Sequence, residues 1–316
     1  MKIIKYLSLV FLSVLAFSCG ENIIEYDTTT VGDDIAEFQI HYFVPVVSNT
    51  ANNIVMIKIN DVVYNNNTTP LVPYNGMPSG GVGLFYTVKS GPVNIKFYKD
   101  IFDSQGVYVE RILVYDKNTT LKPGKQNVFV YDLEKEPVVF ENGYPFEKRV
   151  SYDTDTVAYV KFYNFLYDTA GKPYDQPLQY QYQYTYNPIY TLADQENGLI
   201  PEGKKVGDAV PSTDQKRSPW LNCGPPCAFG ETSGWVEIPT KKSVYVSQGY
   251  ARIDYRITIP GDDGKYETVL QVWNSSSRYI SYSDYWTAYV GRHYHHIFAG
   301  FRSATPISSV RVWTQL

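Results

Sequence analysis

Three cysteines, four histidines and a dense run of tyrosines are the side chains here whose type and spacing could do chemistry. Cys19 stands alone near the N-terminus, whereas Cys223 and Cys227 bracket Gly224-Pro225-Pro226. With Cys19 set aside the remaining pair is even, and outside the cytoplasm it reads as a small structural disulfide. Free thiols are the alternative, and metal or redox chemistry comes last. Zinc needs about four ligands, and a redox pair is normally spaced by two residues at a helix start, not three. His293 and His295 share a face at strand spacing, with His296 beside them. They are weak candidates for a zinc or copper ion that would need a third donor from elsewhere, and strand histidines packed in a core or solvated are the plainer reading. Asp262 and Asp263 are turn residues before they are calcium ligands, since no spaced acidic series surrounds them.

The segment Gln179 to Tyr186 alternates strictly, placing Tyr180, Tyr182, Tyr184 and Tyr186 on one strand face and polar side chains on the other. Core-facing tyrosines with hydroxyls reaching the sandwich edge are one reading. The sharper one is an exposed aromatic platform for sugar rings, with glutamines bonding to hydroxyls, and Trp220 and Trp235 completing the candidate ligand-binding set. No Gly-x-Ser-x-Gly elbow, His-Glu-x-x-His helix, phosphate-cradling loop or dinucleotide fingerprint occurs, so no catalytic residue is assigned, no cofactor is implied, and the chain is expected not to be an enzyme. A carboxylate pair for glycoside hydrolysis stays open, because its separation is spatial.

The N-terminus suggests where these groups work. Lys2 and Lys5 precede an uncharged apolar stretch, Tyr6 to Phe17, too short to span a bilayer comfortably. Leu15-Ala16-Phe17-Ser18-Cys19 follows, and it resembles the bacterial lipobox. That resemblance implies a signal peptide over 1–18, diacylglyceryl attachment at the Cys19 sulfur, and acylation of the freed amine. Two or more chains give stable anchoring where one does not. Gly20 after the cysteine favours the outer membrane, and Glu21, Glu25 and Asp27 are similar to the acidic tether of some surface-exported lipoproteins. Residues 19–34 read as a flexible tether.

The elements that must position the candidates are strands. The chain has 316 residues, 44% hydrophobic and 19% charged, with net charge −4. Such a composition excludes disorder and gives no electrostatic reason to bind nucleic acid. Ala36, Phe38, Ile40, Tyr42 and Val44 alternate with Glu37, Gln39 and His41. Val55, Ile57 and Ile59 run into an Asn60-Asp61 turn, and residues 84–88 and 93–98 flank Lys89 to Pro92 as a hairpin with a longer loop. Ala251 to Ile259 and Tyr266 to Trp273 form the clearest hairpin, across Gly261 to Gly264. No amphipathic helix is evident. The spacing predicts an all-β chain of two tandem immunoglobulin-like antiparallel sandwiches, over 35–150 and 151–316, the second carrying a long structureless insertion at 191–234.

An internal repeat relates the halves. Ile35-Ala-Glu-Phe-Gln-Ile-His-Tyr-Phe aligns with Val157-Ala-Tyr-Val-Lys-Phe-Tyr-Asn-Phe, and the run from Thr120 to Val130 aligns with that from Thr287 to Ile297. These residues resemble the bacterial domain-of-unknown-function 4397 family, Ala158-Tyr159-Val160-Lys161-Phe162-Tyr163-Asn164 matching its opening strand most closely. Tyr42 replaces the Asn in the first half, and the Ser-Pro-Asp that usually follows is missing from both. The resemblance implies an envelope β-sandwich lipoprotein with no established chemistry. The expected function is therefore a non-catalytic, surface-exposed outer-membrane lipoprotein for adhesion or ligand binding, with membrane and a glycan or surface protein as partners. A carbohydrate-capture accessory of a glycan-uptake system is the alternative, and a metal-dependent hydrolase comes third.

Overall fold

Strand after strand forms where β-branched and aromatic residues alternate, and the strands assemble into face-to-face sheets. The computed structural model describes residues 32–65, 70–72, 85–143, 157–186, 188–210, 216–239 and 250–315. The expected signal peptide, Cys19, most of the tether and the expected boundary near 150 lie outside them. Residues 34–316 make one compact unit, and no helix among the described residues is long and apolar enough to cross a membrane.

The first sandwich is built from β1 (Ile35–Tyr42), β2 (Met56–Ile59), β3 (Val62–Asn65), β4 (Tyr86–Lys89), β5 (Gly91–Phe102), β6 (Tyr108–Leu121), β7 (Gly124–Val130) and β8 (Val138–Glu141). One sheet has the order β4-β1-β7-β8 and the other β3-β2-β5-β6. Phe38, Ile40 and Tyr42 from the first meet Ile57, Ile95, Phe97 and Tyr115 from the second in a closed core. Asn60 and Asp61 take φ of 48° and 67°, the left-handed pair that a two-residue hairpin demands, and join β2 to β3. The hairpin expected across Lys89 to Pro92 does not form. Instead β4 pairs with β1, while β5 pairs with β2 and β6 in the other sheet. Gly91, at φ +124°, lets the chain cross between sheets there.

The second sandwich follows with β9 (Val157–Thr169), β10 (Lys172–Pro173), β11 (Gln179–Tyr186), β12 (Lys216–Arg217), β13 (Leu221–Asn222), β14 (Thr232–Pro239), β15 (Tyr250–Ile259), β16 (Thr268–Val269), β17 (Gln271–Trp273), β18 (Tyr279–Ser281), β19 (Ser283–Tyr289), β20 (His293–Phe301) and β21 (Ser309–Gln315). One sheet centres on β9, β20 and β21, with β14 also on β9; the other centres on β11, β15 and β19. The hairpin after β15 is shorter than expected. Only Thr258 and Ile259 pair with β16; the chain then leaves to form the β17-β18 ribbon, and β19 takes the place along β15. The described part of 191–234 is not structureless. It holds a one-turn helix, α1 (Leu192–Glu196), closed by a Thr191–Asp194 capping box, and the short strands β12 and β13 that extend the edge of β11.

Among the described residues the strands are antiparallel except for one parallel pair in each half, β1 with β7 and β9 with β20. These are the two ends of the internal repeat. The ladder sets Phe38 against Gln126 and Val160 against Tyr294, so the structural equivalence lies one residue away from the sequence alignment of the closing strands. A consequence appears at two hydrogen bonds, His41 Nε2 to Asn127 Oδ1 at 3.1 Å and Tyr163 hydroxyl to His295 Nδ1 at 2.8 Å. By that register they occupy the same place in the two halves.

Both pairs belong to a third core, where the sheet of β1 and β7 packs against the sheet of β9 and β20. Phe43 and Phe129 meet Tyr163, Phe165, Ile297 and Trp313 there. Trp313 stacks on His295 at 3.9 Å and on His41 at 5.0 Å, tying the last strand of the chain to the first. Each large ring buries on the order of 150–250 Å², so this seam is a true core. It explains why Gln39 and His41, read as the polar face of β1, are fully buried, and why β9 and β20 are buried along nearly their whole length. Strands covered on both faces lose alternation. Lys161 also lies in the seam. Its ammonium donates to the Glu141 carbonyl at 2.9 Å, and burial pulls its pKa down to about 8 despite the opposing charge of Glu141. Trp235 Nε1 donates to the next carbonyl, Asn142.

Candidate functional site

The strands of the β11-β15-β19 sheet have one face in the core and one in solvent, so their period-two pattern decides which side chains a ligand can meet. Tyr180, Tyr182, Ile253, Tyr255, Ile257 and Trp286 point inward. Tyr180 and Tyr182 are 1% and 7% exposed, which leaves no room for a sugar on either, and Tyr184 and Tyr186 pack half-buried on the same core. The tyrosine ladder is thus a core row. Burial pushes the Tyr180 hydroxyl far above its usual range, and it meets His296 Nδ1 at 2.9 Å.

The other candidates do not join it. Trp235 sits on β14 in the opposite sheet, edge-on to His293 and His295. His293 stacks on Tyr159 within the second sandwich, and His295 stacks on Trp313 in the seam between sandwiches. No group of three metal-ligating side chains forms among the described residues. Cys223 and Cys227 are buried free thiols and not the expected disulfide. The Cys223 amide donates to the Tyr180 carbonyl, and Cys227 exchanges backbone hydrogen bonds with Leu178. Burial raises both thiols, Cys227 to about 12, so neither is a thiolate at neutral pH.

What the outward face assembles is different. Across three strands the register aligns Gln183, Asp254 and Tyr285, and beside them Gln181, Arg256 and Ser283. Trp220, just before β13, comes onto this face because its edge strand pairs with β11, and the Arg256 guanidinium lies 4.5 Å over its ring. Arg256 Nε is held by Gln181 Oε1 at 2.9 Å. Arg252 lies 3.9 Å over Tyr285 while its Nε donates to Asp254 Oδ1 at 3.0 Å. Gln183 donates to the Ser218 carbonyl, and Asp284 accepts from the Tyr285 amide. Of these, Gln183, Trp220, Arg252, Asp254, Ser283, Asp284 and Tyr285 line a groove of about 350 Å³. The aromatic strip continues along the same face to Tyr289, which packs on Tyr250 and under Arg292.

Of the sequence-derived candidates only Trp220 lies in the groove. Arg252 and Asp254 were legible only as polar-face members of a strand, and nothing in the spacing around Tyr285 marks it apart from other tyrosines. Chemically, the groove offers fixed aromatic rings beside paired donors and acceptors, with both carboxylates already hydrogen-bonded.

No family model matches the chain, and no curated protein matches it significantly. Among solved structures it is weakly similar to a "putative cell adhesion protein" from Bacteroides uniformis ATCC 8492, at 9% identity over 89% of this chain and 98% of that one, with TM-score 0.26. A protein of the same description from Bacteroides ovatus ATCC 8483 gives 8% identity, 90% and 99% coverage, and TM-score 0.23. Another, from Parabacteroides distasonis ATCC 8503, gives 8% identity, 89% and 98% coverage, and TM-score 0.21.

Proposed function

We propose that this chain is a non-catalytic lipoprotein of the outer membrane, presented at the cell surface, which binds a ligand or attaches to a surface through the outward groove of its second sandwich. The observation that carries the reading is the groove itself: Trp220 and Tyr285, each held by a stacked arginine, on an otherwise solvent-facing sheet. Aromatic rings placed beside fixed polar groups are the usual make-up of a specific small-ligand site. Binding is favoured over catalysis because the groove's carboxylates are engaged. Asp254 accepts from Arg252, and Asp284 accepts from a backbone amide. The anchor rests on the lipobox-like run ending at Cys19.

Two measurements test the parts separately. Cys19→Ala should abolish labelled palmitate incorporation and release the protein from the membrane fraction; retention in membranes after loss of label would count against the anchor. Attachment of cells displaying the chain should fall with the paired change Trp220→Ala and Tyr285→Ala at unchanged surface display. Unaltered attachment would remove the groove from the function.

A further inference from the structure

Taking this face as the binding site, we infer that its ligand is a neutral saccharide. The groove's size sets the first limit. At about 350 Å³ it lies at the small end of specific ligand sites, suited to one or two sugar rings and not to a folded partner. Its walls set the second. A pyranose presents a C–H face and a rim of hydroxyls that each donate and accept, so it needs a flat apolar wall next to mixed polar groups. Tyr285, 55% exposed, supplies the wall. Arg252 fixes that ring from one side, and Asp254, directly across the ladder, places a carboxylate next to it. The Arg252–Asp254 pair at 3.0 Å presents a guanidinium fork and a carboxylate side by side, matching two adjacent hydroxyls.

Charge sets the third limit. The groove is lined by Arg217 and Arg252 against Asp254 and Asp284, and Arg256, over Trp220, is opposed by Glu267, a balance with no net field to collect an anionic or cationic ligand. Acidic sugars gain nothing over neutral ones here. The strip running on from Tyr285 to Tyr289, four residues along β19 and thus about 13 Å, gives a longer chain of sugars somewhere to lie.

The test presents the full chain in detergent to an array of neutral and acidic oligosaccharides, followed by titration calorimetry on the best responders. Neutral glycans should bind, and Tyr285→Ala and Trp220→Ala should each weaken them about tenfold or more. Tyr108→Ala, an exposed tyrosine of the first sandwich, should change nothing. Binding only to acidic glycans, binding indifferent to both alanine changes, or no glycan binding would each overturn the inference. If no glycan binds and the same variants still abolish cell attachment, the groove remains the attachment site and the saccharide assignment alone fails. If attachment also survives them, both readings fall.

Discussion

Burial holds His41 at a pKa of about 4 and His296 at about 3, with the Asn127 hydrogen bond only partly offsetting desolvation at His41. Both values lie below the 6.5 of an unfolded histidine, so between pH 6.5 and 4 the unfolded chain binds protons that the folded chain refuses. Stability is therefore full above about pH 6.5 and is lost as pH falls toward the folded values. For His41 alone the loss is on the order of 3 kcal/mol. Urea midpoints followed from pH 7.5 to 4.5 should fall steadily, and His41→Gln should flatten part of that slope. An unchanged slope would mean the imidazole is not held neutral. At this scale the sequence was readable where local spacing decides orientation. Alternation alone puts Tyr180 and Tyr182 on one face, and the sheet that covers them makes that face the inward one. The burial of His41 was not readable, because what covers it, Trp313 above all, lies at the other end of the chain. Trp220 likewise finds Arg256 only through the pairing of β13 and β15 with β11.

Among the elements, β20 is the most constrained. Near its end Gly300 sits at φ +106°, and a Cβ there would lie 2.8 Å from the Ile307 carbonyl oxygen and the Ser308 Cα. Gly300→Ala should cost about 2–3 kcal/mol through strain and a forced backbone shift. Gly106→Ala is the control, since Gly106 has a positive φ but nothing within 4 Å of the added carbon, and about 1 kcal/mol is expected. Equal midpoints in denaturant would show that the 307–308 segment gives way freely. The strands themselves were largely legible, and so was the Asn60-Asp61 turn. Which sheet each strand joins was not. Lys89 to Pro92 looks like any hairpin loop, yet β4 and β5 part there because β1 and β2 compete for them as partners.

At the scale of the molecule, the seam of Phe129, Tyr163, Phe165 and Trp313 makes the two sandwiches cooperative. Calorimetry should show one transition whose calorimetric and van't Hoff enthalpies agree. Trp313→Ala removes the ring shared by His41 and His295, costs about 3–5 kcal/mol, and should lower the melting point or split the transition. Two transitions in the parent protein would mean that the seam does not couple the halves. The repeat signalled two related halves in sequence, but not this packing, because its face is made of Gln39, His41, Lys161 and tyrosines that resemble a wet surface. The parallel strands of the repeat also have a mechanical meaning. If the chain is held at its N-terminus and loaded at the groove, tension enters through β1. A pull along that strand must slide all of its paired positions from Ala36 to Tyr42 past β7 together, instead of unzipping them one at a time. Resistance to such a load depends on the rate of forced unfolding, not on equilibrium stability, and a shear-loaded first strand is the arrangement that keeps that rate low.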